Sequence, residues 1–230
     1  MTARSFTLAD PASLDDLQVF LARAQRVEDG SVRLIAGSGV LAVYAAVLYP
    51  VGLLDETPTV LGLRTLALSS TGDFDAVVPI RSLLLRVERA QELAVAAIHE
   101  GRQEPAAVGL PMEVHTATWA AISPPRGGWR AVPGPDAASL DRVARAGIAE
   151  VAEAVPDAVG ESIVRRVRAE VWGREMPDAP HIPAGAGFAA VSLGFLGEDA
   201  VTSYETGPWT RLTTRRGHIL VKRRAWTLSR

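Results

Sequence analysis

Apolar positions recur at spacings of three and four over residues 13–27, where Leu14, Leu17, Phe20, Leu21 and Ala24 mark one face of a helix. Ser13 is placed to cap it, Asp15 and Asp16 occupy the first turn where the helix dipole favours them, and Asp29-Gly30 ends it with turn residues. The pattern then shifts to short β-branched and apolar runs. Residues 31–36, 40–48, 59–69 and 74–78 read as four strands, the first two separated by Gly37-Ser38-Gly39. Connections this short favour antiparallel pairing, because a parallel pair needs a long crossover. Helical spacing returns over 80–93, behind Pro79, with Leu83, Leu84, Val87 and Ala90 on one side.

In the second half, residues 112–122 read as a further strand. Residues 123–136 hold seven Pro or Gly in 14 and mark a linker or a long ordered loop; Trp129 within it predicts that it packs down. The clearest helix spans 137–155, with Leu140, Val143, Ala144, Gly147, Ile148, Val151 and Val155 in one stripe. Pro156-Asp157 breaks it, and a second helix over 158–174 presents Val159, Ile163, Val167 and Val171. So short a connection predicts an antiparallel helical hairpin, whose apolar stripe must be buried against the sheet. Residues 187–196 fit helix or strand, and 201–228 have the alternation of a β-ribbon with turns at Gly207-Pro208 and Arg216-Gly217. The expected fold is α+β: an antiparallel β-sheet with flanking helices, a helical hairpin in the second half and a C-terminal β-ribbon. It forms one domain over 1–230, or two subdomains, 1–122 and 137–230, joined by 123–136.

Composition narrows the function classes. Of the 230 residues 48% are hydrophobic and 22% charged, which excludes a mostly disordered chain. There is no cysteine, so disulfides, thiolate metal sites, iron–sulfur ligation and a cysteine nucleophile are excluded, in keeping with a cytoplasmic location. The first 18 residues lack an apolar core and carry Asp10, Asp15 and Asp16, so no secretory signal is expected there. Residues 34–54 run without a charge for the length of a membrane span, but Gly37, Ser38, Gly39, Pro50 and Gly52 interrupt them, and two buried strands are the better reading. Arginine outnumbers lysine 23 to 1, the codon signature of a GC-rich bacterium.

Four motifs invite a chemistry that their context weakens. Gly37-Ser38-Gly39-Val40-Leu41-Ala42 matches the glycine pattern of a dinucleotide phosphate loop, with Asp55 18 residues after Gly37. The segment after it is short and has no polar face, so a hairpin turn is favoured. Ala190-Val191-Ser192-Leu193-Gly194 is one residue from a nucleophile elbow, with Asp199, Glu205 and His218 downstream, yet a hydrolase half would have to fit in the last 40 residues. The histidines, His99, His115, His181 and His218, are scattered, and no metal or other cofactor is expected. The helix pair resembles a helix-turn-helix in spacing, but Glu161, Glu170 and Glu175 interleave with Arg165, Arg166, Arg168 and Arg174, as on a solvated face.

The charge distribution is the fifth feature. From residue 206 onward there are seven cations and no acid: Arg211, Arg215, Arg216, Lys222, Arg223, Arg224 and Arg230. The preceding residues carry 26 acids against 17 bases, so a near-neutral total of −2 hides a body of −9 and an end of +7. Trp209 and Trp226 sit among the cations, as a phosphate-binding surface would have them. A docking ribbon or a charge-protected edge hairpin is the favoured alternative. The expectation is a non-catalytic binding or assembly protein, whose partner is a second copy or an acidic protein surface met by Trp209, Arg211, Arg215, Arg216, Lys222, Arg223 and Arg224. A nucleic-acid or polyanion binder is the first alternative. A small-molecule enzyme built around Glu113, His115 and Arg126 is the second, since a strand would lead those residues into a Pro/Gly-rich loop.

Overall fold

The computed structural model describes residues 4–52, 54–70, 72–101, 106–155 and 160–223. The first half of the chain forms β1 (Ser5–Thr7), α1 (Ala12–Val27), β2 (Ser31–Gly37), β3 (Val40–Leu48), β4 (Thr59–Ala67), β5 (Phe74–Pro79), α2 (Ile80–His99) and β6 (Ala107–Gly109). A 3-10 turn, Thr118–Ala121, follows. The second half forms β7 (Arg130–Val132), α3 (Ala137–Ala154), α4 (Glu161–Gly173), β8 (Glu175–Met176), β9 (Ala179–Pro183), α5 (Gly185–Ser192), β10 (Thr202–Thr206), β11 (Trp209–Thr214) and β12 (Gly217–Lys222). The α+β class with an antiparallel sheet is as the sequence predicts. Two compact units emerge: Met1–Ala45 with Leu63–Ala120, and Ala46–Gly62 with Ala121–Arg230. β3 and β4 each contribute residues to both.

In the first unit the strands run in the order β5-β2-β3-β4. Alternation in β2 sends Val32, Leu34 and Ala36 to the core and Arg33 to the other face. There the Arg33 Nε and Nη2 donate to the Asp75 carboxylate at 2.8 and 2.6 Å, and its Nη1 donates to the Ala120 carbonyl at 2.7 Å. This bidentate pair holds the 3-10 turn against the sheet. Ser38 and Gly39 both have positive φ (53° and 75°), and Gly37 pairs with Val40. Ser38-Gly39 is therefore a two-residue hairpin turn of type I′ with no helix behind it, and the phosphate-loop reading of Gly37–Gly39 is excluded. The described part of the uncharged run over 34–54 is strand and loop, and no helix among the described residues is long and apolar enough to cross a membrane.

Two expectations in this unit are corrected. α1 begins at Ala12, whose N–H is taken by the Asp10 carboxylate at 3.0 Å, so Ser13 lies inside the first turn and is not the cap. Residues 112–122 form no strand. The β1–β6 ladder extends to the Leu110 N–H, bonded to the Arg4 carbonyl, and Pro111 then offers no donor. Beyond it the Val114 N–H reaches the Val77 carbonyl at 2.8 Å, a single bond in place of a ladder.

The second unit packs three helices closely. Asp136 caps α3 by accepting from the Ser139 N–H at 2.8 Å. α3 and α4 touch one another, and both touch α5, which in turn touches β12. α5 thus resolves the helix-or-strand ambiguity of 187–196, and it stands between the hairpin and the sheet. The helical hairpin is real, but its break at Pro156-Asp157 and Val159 lie outside the described residues. Only the first part of the predicted α3 stripe is buried: Leu140, Ala144 and Gly147 are inside, whereas Ile148 is 42% exposed.

The Trp172 indole stacks on the Phe188 ring with centroids 4.3 Å apart and planes 16° from parallel. Gly147 lies directly beneath it, and a Cβ there would come within 2.3 Å of the indole. Gly147→Ala should therefore destabilise the protein by about 1–3 kcal/mol, overriding the ~1 kcal/mol that alanine gains over glycine in a helix. Gly52→Ala, which has open space around it, should shift stability by less than ~0.5 kcal/mol. Urea denaturation of the two variants checks this: equal midpoints would mean that the α3–α4 contact is looser than described.

Candidate functional site

The C-terminal ribbon is a three-stranded antiparallel meander, extended by β7 in the order β12-β11-β10-β7. Its turns fall at Gly207-Pro208, as predicted, and at Arg215-Arg216, one residue before the predicted Arg216-Gly217, because Gly217 is already paired with Thr214. Alternation divides its side chains. Thr210, Leu212 and Thr214 of β11, Ile219 and Val221 of β12 and Ser203 of β10 are buried on one face. Gly217 on that face lies against the Phe195 ring, which follows α5. The opposite face carries Tyr204, Arg211, Thr213, His218 and Lys222, all half-buried, around a buried Trp209 and Leu220.

On that second face Arg211 is held by aromatic rings. Register places it opposite Tyr204, whose ring centroid lies 4.8 Å from the guanidinium carbon. Trp129, just before β7, offers a second ring at 4.5 Å. The indole is fixed by donation from its Nε1 to the Pro125 carbonyl at 3.1 Å, and Gly128, at φ 79°, turns the chain so that β7 can begin. The loop over 123–136 is thus ordered around Trp129, as its composition predicts. The Arg211 Nε is buried with no hydrogen-bond partner, and burial lowers the side chain's pKa from its ordinary value, the Tyr204 phenol opposing. An unsatisfied buried donor costs about 1–3 kcal/mol. Two cation–π contacts at ~0.5–2 kcal/mol each are together of the same size as that cost.

The remaining cations of the segment do different work. Arg223, adjacent to β12, points to the core side. Its Nη1 lies 3.4 Å from the Glu205 carboxylate, and its Nη2 donates to the Gly207 carbonyl at 2.9 Å. His181 and Thr210 approach the same carboxylate at 3.6 and 3.5 Å. At the β11–β12 turn the Arg215 N–H donates to Asp199 at 2.8 Å, and the Arg216 Nη1 donates to the Leu196 carbonyl at 3.2 Å. The Arg215 amide, with help from the Arg215 and Arg216 charges, holds the Asp199 pKa below the usual carboxylate range. A strand of six residues separates this turn from Trp209, or about 20 Å at ~3.4 Å per residue. Of the seven predicted contact residues, Trp209, Arg211 and Lys222 therefore share a face, with Lys222 opposite Trp209. Arg215, Arg216 and Arg223 lie elsewhere, and Arg224 falls outside the described residues.

The alternative constellation is divided. Glu113 accepts from the Arg4 Nη1 at 2.7 Å and His115 is exposed, both in the first unit. Without the strand expected over 112–122, nothing aligns them on one face. Arg126 is exposed in the second unit's 123–129 loop. Ser192 ends α5, so it does not occupy the strand-to-helix turn that a nucleophile elbow requires. Among the described residues no group of three His, Asp or Glu side chains could hold a metal ion. On the helix pair, Arg165 pairs with Glu161, Arg145 with Asp141, and Arg174 with both Glu150 and Glu170, the mixed-sign face that the sequence predicts.

Two family models match the chain: one described as Domain of unknown function (DUF8010), over residues 1–118, and one described as Domain of unknown function (DUF8185), over residues 124–226. No curated protein matches. Among solved structures the chain is similar to sliding clamps. Against the DNA polymerase sliding clamp from Caulobacter crescentus the identity is 11% and the TM-score 0.47, covering 98% of this chain and 67% of that chain. Against that from Pseudomonas aeruginosa they are 12% and 0.47, covering 97% and 65%. Against the sliding clamp from Bartonella birtlesii bound to griselimycin they are 12% and 0.47, covering 98% and 66%. The chain spans about two thirds of the length of these structures.

Because the folded-state pKa of Asp199 is depressed, the stability it contributes is present above the unfolded carboxylate value and disappears as pH falls through the folded one. The unfolded value is about 3.9. Asp199→Ala should therefore be less stable than the wild type at neutral pH, and the gap should close below about pH 4. Thermal melts from neutral to acid pH check this; a gap that is the same at every pH would contradict the assignment.

Proposed function

This chain belongs to the family described as Domain of unknown function (DUF8010), and we propose that it is a non-catalytic binding or assembly protein whose contact surface is the Arg211 face of the β10–β12 meander. The observation that carries this reading is the arginine itself. It sits beside Trp129 and Tyr204 on a half-exposed sheet face, and no hydrogen bond from its side chain occurs among the described residues. Aromatic rings and arginine are the residues that dominate protein contact surfaces. The partner that fits best is a second copy, because residues 1–205 carry a net −9 and so supply carboxylates for the Arg211 and Lys222 cations of this face. A polyanion binder is the second reading, favoured by the same rings, on which bases could stack.

Light scattering and native mass spectrometry of the wild type and of an Arg211→Gln/Lys222→Gln variant test the proposal. The wild type should exceed the 24.4 kDa of one chain and fall toward it as salt rises. The variant should remain at one chain mass under conditions where the wild type assembles. A wild type that is a monomer at every concentration would sink the reading. Salt-dependent binding of single-stranded DNA by that monomer, lost in the variant, would favour the polyanion alternative.

A further inference from the structure

We infer that Arg211 is a carboxylate receptor: its Nη groups take one Asp or Glu side chain, with the Trp129 and Tyr204 rings as walls, and the acid is supplied by the surface of a second copy. This rests on the contact surface proposed above and names the group that surface recognises. Three observations carry it.

The guanidinium is already oriented. Rings at 4.5 and 4.8 Å and a buried Nε restrict its rotation, so a fork of donors is positioned before any partner arrives. Among the described residues its Nε also has no hydrogen-bond partner. Arg216 and Arg223, on the same segment, each give a hydrogen bond to a backbone carbonyl, and Arg223 faces Glu205, whereas Arg211 has no such oxygen among the described residues.

The charge balance of the chain points to a carboxylate. On this face the other cation is Lys222, opposite Trp209, while Arg215, Arg216 and Arg223 are directed elsewhere. One guanidinium matches one carboxylate in charge and in bidentate geometry, and the same fork fits a phosphate oxyanion, so the source of the anion decides between them. The acidic excess of residues 1–205 supplies carboxylates on the same molecule.

The test is titration of tetraglutamate peptide, and separately of inorganic phosphate at matched ionic strength, into the full chain, followed by side-chain NMR shifts. Tetraglutamate should perturb Arg211 and should dissociate the assembly in light scattering. Arg211→Lys, which keeps the charge and loses the planar fork, should weaken binding roughly tenfold or more. Arg215→Gln/Arg216→Gln should bind as the wild type does. Trp129→Leu, which alters a loop residue and leaves the meander's own strands intact, should weaken binding several-fold and guards against misfolding of the arginine variant. Wild-type affinity in Arg211→Lys, an equal loss in the turn variant, or tighter binding of phosphate than of tetraglutamate would each overturn the proposal. Assembly that depends on Arg211 but ignores tetraglutamate would overturn the carboxylate receptor and leave the assembly reading standing. A monomer that binds tetraglutamate would overturn the second copy as its source.

Discussion

The parity of β11 is the constraint on which the second unit depends. Thr210, Leu212 and Thr214 must be inside, opposite Val221, Ile219 and Gly217, because their neighbours close over them. Side chains alternate, so this decision also places Arg211 and Thr213 on the other face. A register slip by one residue would bury a guanidinium and expose Leu212, and a buried leucine side chain alone is worth roughly 1.5–3 kcal/mol. The same parity carries Tyr204 opposite Arg211 and directs Arg223 toward Glu205. What looks in sequence like one basic segment is divided in three by strand geometry.

That inner face stays buried because small residues let α5 and its neighbours approach closely. A Cβ on Gly187 would come within 2.7 Å of the Leu140 carbonyl, and one on Gly185 within 3.1 Å of the Trp172 carbonyl. Ser139, Arg142 and Asp178 fasten the start of α3 to the β8–β9 turn with hydrogen bonds of 2.8 Å from the serine and the arginine to the carboxylate. The helical layer therefore covers one side of the meander, while the cation and its rings are left to the other.

Much of this was legible in the sequence where a local pattern carries the information. The stripe of α1, the first part of that of α3, the turn at Ser38-Gly39 and the turn at Gly207-Pro208 follow from periodicity and turn chemistry within a few residues, while the second meander turn falls one residue before its predicted place. Residues 112–122 misled because their apolar composition resembles a strand, while Pro111 ends the ladder that would have supported one. α5 stayed ambiguous because Gly185, Ala186, Gly187, Ala189 and Ala190 carry no polar face, being buried all round. The pairing of Trp129 with Arg211 had no sequence signal. Eighty-two positions separate them, and only the β7–β10–β11 order brings them together. Charge counting found the right segment and could not divide it, since it takes no account of which face a residue occupies.

The central claim is that the Arg211 guanidinium lies beside two aromatic rings on the face opposite the core. Side-chain NMR of the full chain tests it most directly, through the shifts of the Arg211 methylene and Nε protons and their cross-relaxation with aromatic protons. The account predicts upfield-shifted resonances with contacts to both Trp129 and Tyr204, moving toward ordinary arginine values in Trp129→Leu. Random-coil shifts with no contact to either ring would contradict it.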